Sequence, residues 1–201
     1  MIQLLLLATL TLALPAQAIE TPRAQAANQT TEYRIGDRLA PPARARGRAA
    51  EITWDDLLPP GWDPGKALEG LNLDQLSDND PRAMEALEKL RTMWNNAPAN
   101  PAVTGKPIRI PGFMVPLEYG KKDVKEFLLV PYFGACIHVP PPPANQIIHV
   151  TSVRPVRMNT YMDAVWIEGA LELGLTKTEM GDSGYRMRAA RVEPYVEKKK
   201  K

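Results

Sequence analysis

The chain has 201 residues, 25 Lys and Arg against 23 Asp and Glu, a net charge of +2 and a single cysteine. This near balance excludes a nucleic-acid surface built on bulk positive charge, and one cysteine excludes an internal disulfide. The charge is unevenly placed. Residues 19–50 carry six Arg against three acids, residues 198–201 are four lysines, and residues 51–197 hold 15 basic and 20 acidic side chains. The central part is therefore mildly acidic, and the basic ends read as solvated tails.

Residues 2–14 are almost wholly apolar, break at Pro15 and lead into Ala16-Gln17-Ala18. An apolar run of this length before a small-x-small site predicts a secretory signal peptide over residues 1–18, hence a periplasmic protein. The run is shorter than the ~20 residues of a membrane span, so no stable span is expected in the mature chain; retention of the segment as an anchor is the alternative. Residues 19–50, rich in Ala, Arg, Gln, Thr and Pro without apolar periodicity, read as a flexible leader.

Residues 51–97 read as a helical hook followed by a helix. Ile52-Thr53-Trp54-Asp55-Asp56-Leu57-Leu58 stops at Pro59-Pro60-Gly61-Trp62, and two tryptophans flanking a turn suggest an element packed on the main domain. Asp80-Pro81 then supplies an N-cap and a proline at the first helical position. Met84, Leu87, Leu90 and Trp94 follow on one apolar stripe, and the helix is expected to end near Asn95-Asn96.

From residue 104 the period changes from helical to alternating. Strands are predicted over 106–117, 124–133, 146–153, 164–173 and 185–192, with glycine kinks or bulges at Gly112 and Gly169. Five short strands with internal glycines predict a mainly β domain over 104–195: a small five-stranded OB-like barrel, α+β overall once the hook and helix are counted. A β-sandwich is the alternative. Residues 196–201 form the basic tail.

Chemistry concentrates in one stretch. Cys136 and His138 are two residues apart, Pro140, Pro141, Pro142 and Pro143 follow, then Asn145 and Gln146, with His149 just beyond. If the flanks are extended and pair around the prolines, Cys136 lies opposite His149. Cys136, His138 and His149 would then converge as a zinc or copper site. Met114, Met158, Met162 and Met187 are further soft donors, and Asp163 and Glu168 are possible carboxylate ligands.

Two other readings use the same residues. Cys136 and His138, oriented by Asn145, would make a thiol nucleophile, but side chains held parallel on one strand favour binding over catalysis. Alternatively, Pro140, Pro141, Pro142, Pro143, Asn145 and Gln146 form a stiff surface that docks a partner protein. There is no phosphate loop, no G-x-S-x-G and no H-E-x-x-H.

The run Gly134-Ala135-Cys136-Ile137-His138-Val139, continuing through four prolines to Ala144-Asn145-Gln146, resembles a bacterial family known as domain of unknown function 3299. The family's signature is G-x-C-I-H-x-P-P-P-P-x-N-Q. Ile110-Pro111-Gly112-Phe113-Met114-Val115-Pro116-Leu117-Glu118 and Trp54-Asp55-Asp56-Leu57-Leu58-Pro59 are similar to it too, so the resemblance spans residues 50–195. It implies an exported accessory protein, encoded in some members near ABC transporter components linked to metal supply. Unlike the lipoprotein members, this chain has no lipobox cysteine.

Overall fold

The alternating second half of the chain becomes a sheet of six strands in the computed structural model, which describes residues 32–40, 49–63, 66, 69, 80–118 and 120–196. The predicted signal peptide, most of the leader and residues 197–201 of the tail lie outside the described residues. The strands are β1 (Ala50–Glu51), β2 (Pro107–Pro116), β3 (Asp123–Val130), β4 (Ile148–Arg157), β5 (Ala164–Thr176) and β6 (Ser183–Pro194). The protein is mainly β, with one α-helix among the described residues, α1 (Pro81–Asn95).

Strand order is β1-β2-β3-β4-β6-β5, and β5 also pairs with β2, so five of the six strands form a ring of hydrogen-bonded neighbours. β4 and β6 run parallel; the other pairings within the ring are antiparallel. β2 closes the ring because its first half pairs with β5 and its second half with β3, with Phe113 opposite both Ala164 and Val130. The sixth strand is the two-residue β1, parallel to β2 through Ala50↔Ile108 and Glu51↔Arg109. It arises from the stretch that composition alone reads as leader and hook, where two residues carry no period.

Alternation places two apolar clusters on opposite faces of the same strands. Phe127 and Leu129 of β3 join Ile110, Met114, Ile148, Ile167 and Tyr185 in one cluster. Leu128 and Val130, pointing the other way, join Phe113, Val115, Ile147 and Met162 in the second. This part of the sheet is thus buried on both faces, which explains why β3 ends in the continuous apolar run Phe127-Leu128-Leu129-Val130. Tyr33, Tyr132 and Phe133 cover the second face, with Tyr33 meeting Phe113 edge-on at a ring-centroid distance of 5.0 Å.

In the segment read as a hook, one of the two tryptophans is buried and Trp62 is half-buried. Trp54 and Leu57 are buried, and the Trp54 indole donates to the Pro111 carbonyl at 2.7 Å. Full burial of Leu57 stabilises the fold by roughly 1.5–3 kcal/mol. The glycine at 112 makes this docking possible: a Cβ there would lie 2.9 Å from Trp54 Cζ2. At Gly169 the register between β5 and β6 shifts, the bulge expected of a glycine inside a strand.

α1 begins as predicted, with the Asp80 side chain accepting from the Arg82 amide. Its apolar stripe, however, is not buried: Ala86 is the sole buried residue, while Met84 and Leu87 are 61% and 51% exposed. Spacing specifies an amphipathic helix but not whether a partner face exists for it. No helix among the described residues is long and apolar enough to cross a membrane.

Candidate functional site

The connection from β3 to β4 does not form a proline-centred hairpin. Strand pairing ends at Leu129↔Ile148, and the intervening residues fold into a compact excursion. Its first part is a tight turn in which the Gly134 carbonyl accepts from the amides of Ile137, His138 and Val139, at 2.8 Å from His138. Gly134 has φ +89° and Cys136 has φ +66°, the one non-glycine residue with positive φ among those described. The left-handed region is unfavourable for a residue with a Cβ, so the surrounding bonds impose it. Gly134 is fixed further by its amide, which donates to Met162 Sδ at 3.1 Å.

This turn overturns the extended geometry from which a Cys136–His149 pairing was expected. The residue opposite His149 is Leu128, not Cys136. His149 instead reaches diagonally across β3, where its Nε2 lies 2.8 Å from Glu126 Oε1. The structure therefore brings Cys136 and His138 together and leaves His149 elsewhere. No group of three or more His, Cys, Asp or Glu side chains among the described residues is arranged to hold a metal ion.

Cys136 and His138 line a cleft of about 750 Å³. Its wall is assembled from several connections: Val115 and Pro116 at the end of β2, Lys121 and Lys122 before β3, the residues from Met158 to Tyr161 after β4, and Met180 between β5 and β6. That volume lies within the ~300–1,000 Å³ of small-ligand sites. Tyr161 stands edge-on to the exposed His138 at 5.6 Å between ring centroids. The loop carrying Tyr161 is held by Asp163, whose carboxylate accepts from the amides of Asn159 at 2.7 Å and Thr160 at 2.9 Å. Lys121 is paired with Glu118 at 2.9 Å.

Cys136 is half-buried against the second apolar cluster. Desolvation pushes its thiol up from 9.0 to about 12. A thiol so placed is protonated at neutral pH, the opposite of an activated nucleophile. Nor does Asn145 orient His138: it is buried outside the cleft wall, and its amide donates to the Pro98 carbonyl at 3.0 Å.

The proline run likewise faces inward more than outward. Pro140 is exposed and Pro141 half-buried, but Pro142, Pro143, Ala144, Asn145 and Gln146 are buried. Gln146 donates to the Trp54 carbonyl at 2.8 Å. The two amides thus donate inward, Gln146 to the hook and Asn145 to the Pro98 carbonyl beyond α1.

Of the weighed methionines, all four are buried in the two cores, and Met158, of the first, also borders the cleft. Asp163 is engaged in its own turn, and Glu168 lies on β5 opposite Arg109 and Arg191. Met180, Tyr161, Lys121 and Lys122 were not legible as site residues. They come from separate turns, and only the turn chemistry of Asn159, Thr160 and Asp163 signalled a loop there.

Residues 54–194 match the family described as protein of unknown function, DUF3299. No curated protein matches the chain. The chain is similar to a crystal structure of a DUF3299 family protein from Pseudomonas aeruginosa PAO1. The two are 36% identical with a TM-score of 0.59, and the match covers 76% of this chain and 99% of that one. With the matched region taking in β2 to β6 and the cleft, the chain belongs to the DUF3299 family.

Proposed function

We propose that this protein is a periplasmic accessory protein that binds a transition metal, zinc or copper, in the cleft lined by Cys136 and His138, in the service of an ABC transport system. The observation that carries this reading is that Cys136 and His138 both line one ligand-sized cavity. The ring of β2, β3, β4, β6 and β5, with β1 outside it, is read as an OB-like barrel, a scaffold that commonly presents its ligand sites through its connecting loops. The apolar run and Ala16-Gln17-Ala18 support export by a signal peptide.

The test is metal uptake by metal-free full-length protein, titrated with zinc and copper. The reading expects close to one equivalent bound, lost in Cys136→Ser and in His138→Ala. Uptake that is equally weak in the wild type and the double variant would overturn it.

A further inference from the structure

Part of the stretch whose composition reads as a flexible leader is bound to the chain leaving β3. The Gly36 amide donates to the Phe133 carbonyl and the Phe133 amide to the Asp37 carbonyl, each at 2.9 Å. Arg38 bridges Tyr132 in antiparallel fashion, and its guanidinium lies over the Tyr132 ring at 5.6 Å. Between these contacts the strap turns tightly. The Asp37 carboxylate accepts from the Arg34 amide at 2.7 Å, and Gly36 has φ +92°.

The strap's side chains connect it to the turn that carries Cys136 and His138. Ile35 lies on Gly134, where an added Cβ would stand 3.2 Å from Ile35 Cγ2. Tyr33 and Leu39 pack against the second apolar cluster, as Cys136 does. Tyr33 also begins an unbroken chain of ring contacts to the cleft. Its ring centroid is 5.9 Å from that of Phe133, Phe133 is 5.6 Å from Tyr161, and Tyr161 is 5.6 Å from His138.

We infer that residues 33–39 are a gate on the cleft: seated, they hold the turn from Gly134 to Val139 and keep Cys136 half-buried; unseated, they release both while the sheet stays folded. The inference does not depend on what the cleft binds.

The strap is built to open locally. Arg34, Ile35, Gly36, Asp37 and Arg38 are all exposed, and the ring of β2 to β6 closes through pairings among those strands alone. Segments with exposed backbone bonds and few buried contacts open at a free energy well below that of global unfolding. The consequence of opening falls on the turn. Phe133 would lose its main-chain partners in the strap and its contact with Tyr33. It directly precedes the glycine whose carbonyl accepts from the Ile137, His138 and Val139 amides.

Cys136 is the sole cysteine, so its alkylation reads the gate directly. Full-length reduced protein is labelled with iodoacetamide at one pH as wild type, Tyr33→Ala, Gly36→Val and Leu57→Val. Tyr33→Ala removes the ring anchor. Gly36→Val acts on the strap's backbone, because a side chain there meets nothing within 4 Å yet must adopt a positive φ. Leu57→Val is the control, weakening the first cluster on the opposite face of the sheet. The urea midpoint of each variant reports global stability. Both strap variants should label roughly tenfold faster or more, at rates nearly independent of low urea, with Leu57→Val close to wild type. The NMR signals of the His138 imidazole should shift in the strap variants, with those of His149 unmoved as an internal reference. Unchanged labelling in both strap variants, labelling that only follows the urea midpoint across all three, or an unmoved His138 signal would overturn the gate. No metal enters the assay, so its outcome leaves the metal-binding reading untouched.

Discussion

Gln146 Nε2 donates a 2.8 Å hydrogen bond to the carbonyl oxygen of Trp54, joining segments 92 residues apart. The same Trp54 donates its indole N–H to Pro111 in β2. The exit of the proline run, the hook and the sheet are therefore one hydrogen-bonded unit, and the turn carrying Cys136 and His138 is anchored at its far end.

Gln146→Leu should destabilise the protein by about 0.5–1.5 kcal/mol, because it removes the shorter of two bonds to the Trp54 carbonyl, which keeps only the Leu57 amide at 3.2 Å. The midpoint of urea unfolding measures this. A midpoint equal to wild type would show that the bond does not hold the hook.

Tyr185 makes a second tie of the same kind. Its hydroxyl donates to the Leu57 carbonyl at 2.6 Å and accepts from the Asn100 amide at 2.5 Å. Tyr185→Phe keeps the ring in the core and removes both bonds, so a loss of about 1–3 kcal/mol is expected in the same assay.

Gly112→Ala should cost roughly 1–3 kcal/mol by overpacking, since the new Cβ meets Leu129 Cγ at 2.7 Å and Trp54 Cζ2 at 2.9 Å. Combining it with Trp54→Leu should cost less than the sum of the single changes, a coupling that a double-mutant cycle reads directly.

The Cys136 thiol makes stability depend on alkaline pH. Folding raises it from 9.0 to about 12, so between those values the unfolded chain has released a proton that the folded chain retains. Rising pH then favours the unfolded chain: the contribution is intact below 9.0 and is lost as pH rises through the folded value. Cys136→Ala should flatten this part of the stability profile. Iodoacetamide labelling of the native protein should be slow at neutral pH, and fast labelling there would contradict a buried, protonated thiol.

The two histidines should separate in metal uptake. His138→Ala is expected to abolish it. His149→Ala should leave it at the wild-type level, removing only the pair with Glu126, a carboxylate whose side chain is 51% exposed and for which ~0–1 kcal/mol is typical. Loss of uptake in His149→Ala would restore the three-residue site that spacing alone suggests.

Local signals proved sufficient where the physics is local. Asp80-Pro81 starts α1 because capping and proline's fixed φ act within one turn, and period-two runs become β2 to β6 because alternation decides which side chains a strand buries. Cys136 and His138 reach one cleft for a different reason than spacing implies. A turn closed on the Gly134 carbonyl presents them, where a shared strand face was expected. The exposed Met84 and Leu87 make the complementary point: an apolar stripe specifies a helix without supplying its partner.

By itself the sequence determined the β-rich second half, the capped helix, the glycine positions and the presence of a cysteine–histidine pair before a rigid proline run. Tertiary structure decided the strand order and ring closure, the pairing of His149 with β3 rather than with Cys136, and which separate turns line the cleft beside the pair. The physical reason is register and loop return. Pairing partners and converging turns depend on burying both faces of the sheet at once, a condition on residues far apart in the chain.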